Sequence, residues 1–312
     1  MVKRFLWLVS THARACLILG LAGGLLLPDL AAAMTPWLPQ MVALLLVTTA
    51  LRIGLRAAVG ATRDLRWGLG AVAVLQMLLP LALLGVLTLA GLQDTPAALA
   101  IVLAASAPAL TGSVNLALMM GMDGGRMMQM LVLGTAGFPL TVLPVLWFLP
   151  QLGPPADVIA AALKLFVVIV LATGTGFTLR RLLFPQPTEG QVKALDGLSV
   201  LAFSIIVIGL MSALNPALRG DPAAVARWML LAFAISYLLQ FLTLLALRHT
   251  PLRAVAGPLA IGAGNRNIAI FLVALPPDIL APLMIFIGCW QLPMYLTPML
   301  LPRLYQWALT HD

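Results

Sequence analysis

Two stretches decide how this chain folds: Ala107-Pro108-Ala109-Leu110-Thr111-Gly112-Ser113-Val114-Asn115 and, half the chain further on, Gly262-Ala263-Gly264-Asn265-Arg266-Asn267. Each lies inside a long apolar segment and is made of residues that interrupt a helix. Pro108 has no N–H for the helix ladder and Gly112 weakens the turn after it. The first segment is therefore expected to unwind there and restart with Thr111 or Ser113 as a helix cap. The glycine-rich run does the same around Gly264.

The composition says what surrounds these breaks. Of 312 residues, 62% are hydrophobic and 9% charged, where a soluble domain is about half apolar and about a quarter charged. That excludes a soluble enzyme. A bilayer crossing needs roughly 20 apolar residues, so the length allows about ten crossings and leaves no room for a second, soluble domain. The chain carries 26 Gly and 23 Pro, many in apolar segments, which argues against straight helices. Irregular backbone at membrane depth lines a cavity. Cys16 and Cys289 are far apart, lack the spacing of a metal or redox pair, and read as small core residues. The net charge of +8 does not point to nucleic acid, because the basic residues sit in short connections between apolar runs. The run from Ala15 to Leu27 leads into Pro28-Asp29-Leu30 without a convincing cleavage site and reads as the first span.

Apolar runs place spans near residues 14–33, 37–55, 67–91, 96–121 and 126–149, then 156–179, 196–214, 225–247, 255–275 and 279–301. With the N-terminus inside, Lys3, Arg4, Arg14, Arg52, Arg56, Arg63, Arg66, Arg126, Arg180, Arg181, Lys193, Arg248, Arg253 and Arg303 fall on the cytoplasmic side. Arg219 and Arg227 fall outside. That is the positive-inside pattern, and a shift of one span scrambles it, so both termini are expected in the cytoplasm. Asp29, Asp94, Asp157, Asp221 and Asp278 fall in the outer connections. Five spans per half make the second half start from the opposite side, which is the arithmetic of an inverted repeat. The fold class read here is an all-α polytopic membrane protein of two five-helix repeats, residues 1–150 and 151–312. Paired breaks in the fourth and ninth spans point to a transport site near the bilayer midplane, where half-helix N-termini suit an anion. The plain alternative is two kinked helices packed through small residues.

At these two spans the sequence resembles the bile acid:sodium symporter family of the bile acid/arsenite/riboflavin transporter-like superfamily. The likeness covers nearly the whole chain. It rests on Pro108, Thr111 and Ser113, on Pro139, on Gln76 before Pro80, on Lys164, and on Gly264 with Asn267. The resemblance implies that helices 4 and 9 cross at their unwound centres in a core domain of spans 3–5 and 8–10. Spans 1, 2, 6 and 7 form a panel against which the core moves. It also implies an organic-anion substrate, often coupled to two sodium ions, with Thr111 and Asn267 as contacts and Gly112, Ser113 and Asn265 beside them.

The sequence departs from the family where sodium binds. Gly262 and Arg266 stand where the family motif has Glu and Gln, Met127 and Leu131 stand at positions of hydroxyl ligands, and Val114 replaces an Asn, with Asn115 displaced by one. Gln76 and Ser113 remain. Sodium, a hard cation, needs several oxygen ligands, and too few are left. A cofactor is therefore not expected, and sodium is the disfavoured alternative.

Arg266 is the most informative residue, since an arginine at mid-span costs at least about 2.5 to 3.5 kcal/mol on insertion scales. The expectation is that its charge occupies the space of the lost sodium ions. It would bond free carbonyls of the first half of span 4, or Gln76, or the substrate itself. An architectural arginine indifferent to substrate is the other reading. Lys164 meets either a substrate carboxylate or the domain interface, or snorkels outward. Asn265, Asn267 and Asn115 need partners across the crossing or in substrate. His12, His249 and His311 read as solvated or interfacial, and Asp123 before Gly124-Gly125-Arg126 as a turn and helix cap. Tyr237, Tyr295 and the tryptophans line a cleft or sit at the membrane interface. The Met119–Met130 cluster reads as pliable packing.

An enzyme is the rival class, but no H-E-x-x-H, paired-aspartate or G-x-S-x-G motif occurs, and no acidic residue lies well inside a span. The same lack weakens proton coupling. The function expected is secondary transport of a small organic anion across a bacterial inner membrane, sodium-independent. The alternative is a sodium-coupled symporter with a rebuilt site, and a non-transporting receptor stands behind both. The sequence carries no signal of oligomeric state.

Overall fold

The computed structural model describes residues 2–60 and 65–310. Arg63 and His311 lie outside the described residues. Among those residues the chain is helical throughout, and seven helices are long and apolar enough to cross a membrane: Pro28–Ile53, Leu65–Leu89, Gly124–Trp147, Pro155–Leu183, Glu189–Gly220, Pro222–Leu247 and Pro277–Leu300. An eighth span counts if Val2–Thr11 and Ala13–Leu26, bent by 88°, are taken together. The protein is a multi-pass, all-α membrane protein. Its helices carry exposed Leu26, Leu89 and Leu140 on their outer faces, because a bilayer accepts apolar side chains that water would drive inward.

Most spans lie within a few residues of the sequence reading. The beginning is different. The turn expected at 34–36 occurs at Leu27, whose backbone (φ −120°, ψ 68°) leaves the helix just before Pro28 opens the next one. Thr35–Trp37 is a 3-10 turn that carries the rod onward. Proline suits the first helical turn, where its missing N–H is not needed, so Pro28 and Pro36 start or continue helix here. A further helix, Val2–Thr11, precedes the first span read from the sequence.

The chain divides into two compact units. The first comprises Met1–Val59, Lys164–Ala226 and Ala269–Cys289. Its centre is the helix Glu189–Leu210, against which Val2–Thr11, Ala13–Leu26 and Leu38–Ile53 pack. Small residues let the backbones approach: a side chain at Gly20 would strike the Ser204 carbonyl, and one at Gly197 the Leu6 carbonyl. Thr188 and Gln191 form a capping box at the start of the central helix. Arg52 pairs with Asp196 at 3.5 Å. Cys289 is buried here, whereas Cys16 is only half-buried.

The second unit comprises Gly60–Leu163, Arg227–Ile268 and Trp290–Asp312. Its centre is Gly124–Trp147, capped by Asp123, whose carboxylate accepts from the N–H groups of Gly125 and Arg126. Leu65–Ala73, Ser113–Met119 and Arg253–Gly264 pack on it. Both broken segments lie in this unit.

Candidate functional site

The helix Pro96–Ser106 starts on a Thr95 cap and ends at Ala107, whose backbone is extended (ψ 150°). Proline disfavours helical backbone in the residue before it, and Pro108 marks that end. The helix Arg253–Gly264, buried from Ala256 onward, ends at Asn265. Each break would strand backbone polar groups in hydrocarbon. They satisfy one another instead: the N–H of Leu110 donates to the Asn265 carbonyl at 2.9 Å, and the N–H of Asn267 donates to the Pro108 carbonyl at 2.8 Å. The pair forms an isolated antiparallel bridge between Ala109 and Arg266.

The restarts depart from expectation. The residue capping Ser113–Met119 is Gly112, with no side-chain cap. Neither Thr111 nor Ser113 caps the helix; the N–H of Ser113 donates to the Leu110 carbonyl at 2.8 Å. After Asn267 the chain continues as a 3-10 helix, Ile268–Val273, rather than an α-helical half. The paired α-helical N-termini expected at the crossing are thus not formed.

Arg266 is 1% exposed. Its Nε donates to the Ala263 carbonyl at 2.9 Å, Nη1 to Ala107 at 3.0 Å and Nη2 to Leu75 at 2.9 Å. One side chain therefore ties together the ends of both broken helices and the third span. Leu75 can offer its carbonyl because Val74–Leu78 is a π-helical turn, whose altered ladder re-aims carbonyls and recurs at functional sites. Of the three partners foreseen for Arg266, the span 4 carbonyl is present. Gln76 turns instead toward the fifth span, where its Oε1 accepts from Thr141 at 3.2 Å beside Gly134. Among the described residues no carboxylate pairs with Arg266, so its charge is met by carbonyl dipoles alone.

Around this cation lie polar groups of two kinds. Asn265 is committed to the fold: its amide donates to Ile261 at 3.0 Å and accepts from Thr297 at 3.2 Å. Ser113 is fully buried and its Oγ has no partner. Thr111 and Asn267 are also buried, at 7% and 5% exposure, and their side chains make no hydrogen bond among the described residues. Ser113, Thr111 and Asn267 are within a few residues of the bridge. Gly112 has open space where a Cβ would stand. Asn115 is exposed on the helix Ser113–Met119, and Lys164 is exposed in the first unit. Tyr295 is half-buried in the second unit.

Where the family resemblance would place sodium, Gly262 faces the side chains of Met130 and Met127, and Leu131 is 3% exposed. Thioether and aliphatic groups are poor ligands for a hard cation. None of these positions offers a side-chain oxygen.

A second network was not foreseen. The Ser236 hydroxyl donates to the Gly264 carbonyl at 2.9 Å, Gln240 donates to Thr297 at 3.4 Å, and Tyr305 donates to Gln240 at 2.8 Å. Trp290 Nε1 donates to the Arg266 carbonyl at 3.0 Å. Polar residues isolated in apolar runs were the available signal. Gln240 with Thr297 in the second half matches Gln76 with Thr141 in the first, each joining the third span of its half to the fifth.

No protein-family model matches the chain, and neither does any curated protein.

Proposed function

We propose that this chain is a secondary transporter of a small organic anion, of the bile acid:sodium symporter type, working by alternating access without sodium. Arg266 carries the reading: a lone guanidinium, buried, held by three carbonyls at the bridge between two broken helices. An intramembrane charge marks a substrate or ion pathway. In this reading it supplies permanently the positive charge that sodium supplies in the family, and the substrate supplies the missing anion. Ser113, Thr111 and Asn267 offer hydroxyl and amide donors for that anion.

The grouping of helices also supports it. The first unit gathers the first and second spans, the sixth from Lys164 onward and the seventh, with Ala269–Cys289 added; the second gathers spans three to five, the start of the sixth and parts of eight to ten. The matched Gln–Thr pairs, one per half, support two inverted repeats. The basic connections favour this orientation, with both termini in the cytoplasm.

Ser113→Ala tests the site. A buried hydroxyl without a partner contributes nothing to the fold, so the variant is expected to melt at or slightly above the wild-type temperature. A hydrogen bond to a charged ligand is worth about 1.5 to 3 kcal/mol, so the anion concentration for half-maximal uptake into proteoliposomes should rise roughly tenfold or more. Unchanged uptake would remove Ser113 from the site.

A further inference from the structure

A groove of about 510 Å³ opens on the second unit between Arg66–Leu79 on one side and Leu239–Leu259 on the other. Its wall is aliphatic along most of its length, with Val74, Leu75, Leu239 and Leu242 prominent. Gly70 makes it deep, since nothing stands within 4 Å of where its Cβ would be. The Thr243 hydroxyl is spent on the Leu239 carbonyl at 2.7 Å. An apolar hollow does not hold water, and in a bilayer what enters it is a hydrocarbon chain.

One end is different. Arg66 lines it, is exposed, and makes no ion pair or hydrogen bond among the described residues. Beside it the Arg126 guanidinium lies 4.6 Å from the centre of the Trp67 ring. Tryptophan marks headgroup depth, and basic pockets between membrane helices bind anionic headgroups. We propose that the groove is a binding site for an anionic phospholipid, one acyl chain lying along Gly70 and Leu75 and the phosphate held by Arg66.

The site requires only that the chain sit in a bilayer, not that it transports. Its position gives the lipid a consequence. Leu75 forms part of the wall and also gives its carbonyl to Arg266. A bound chain therefore packs against the π turn that holds the buried cation.

The test is native mass spectrometry of the full chain released from nanodiscs of equal parts phosphatidylcholine and phosphatidylglycerol. Wild type is expected to retain phosphatidylglycerol over phosphatidylcholine by about fivefold. Arg66→Gln should lose that preference, and Gly70→Leu, which fills open space, should lose the retained lipid while melting as wild type does. Equal retention of the two lipids by wild type overturns the proposal. So does lipid that survives Gly70→Leu, a preference that survives Arg66→Gln, or a dimer in place of bound lipid, which would assign the groove to a second copy of the chain.

Discussion

Arg266→Ala is expected to lower the melting temperature of the purified protein more than any other single change at the bridge. The substitution strands the carbonyls of Ala263, Ala107 and Leu75 at a site where the side chain is 1% exposed. Hydrogen bonds to a charged group contribute about 1.5 to 3 kcal/mol each. Burying the guanidinium costs free energy that the mutation returns, so the net loss is on the order of 3 kcal/mol. Arg266→Lys separates charge from geometry. A lysine keeps the cation but offers one compact ammonium where the carbonyls of three separate segments need a planar fork. The expected order of melting temperatures is wild type, then lysine, then alanine. Alanine melting at the wild-type temperature would mean that the three bonds do not hold the broken helices together.

Gly264→Ala is the second large effect, and it acts through space rather than charge. A Cβ at Gly264 would strike the Ser236 carbonyl and the Gln240 side chain. The carbonyl is backbone in the helix Pro222–Leu247 and cannot move aside alone. Gln240 is held by Thr297 and Tyr305, and Thr297 in turn by Asn265, so any adjustment disturbs the whole network. Overpacking of this kind costs about 1 to 3 kcal/mol. Gly112→Ala at the other break is the control: its backbone φ is −84° and its Cβ would meet nothing within 4 Å. Melting curves should show a clear loss for Gly264→Ala and little change for Gly112→Ala. Equal curves would contradict the close approach at Gly264.

Both breaks were legible because proline and glycine act locally. Pro108 ends one helix through its own ring, and the Gly262–Gly264 run permits the contact with Ser236 and Gln240. The arginine was legible as an oddity, since a charge in an apolar run has few uses. Its partners were less so. The Ala107 carbonyl follows from the break next to it, but the Leu75 carbonyl depends on a π turn, and nothing in Val74-Leu75-Gln76-Met77-Leu78 announces one. The end of the first span reads two ways, as a run closing at Leu27 or a span to residue 33, because Pro28 can either end or begin a helix, and only packing decides. The network of Ser236, Gln240, Thr297 and Tyr305 joins residues from three spans, and such pairings have no linear spacing to read. Hydropathy could not separate Asn265, which is spent on the fold, from Asn267, whose amide has no partner among the described residues.

If Arg266 does the work of the coupling cation, anion binding needs no sodium. The most direct test is the melting temperature of the purified protein against a panel of small carboxylates, sulfonates and bile acids, each in sodium chloride and in choline chloride. A ligand that binds the folded state raises the melting temperature by mass action. At least one anion is expected to give the same rise in both salts and none in Arg266→Ala. A rise that appears only with sodium would contradict this and show that a cation site survives beside the arginine.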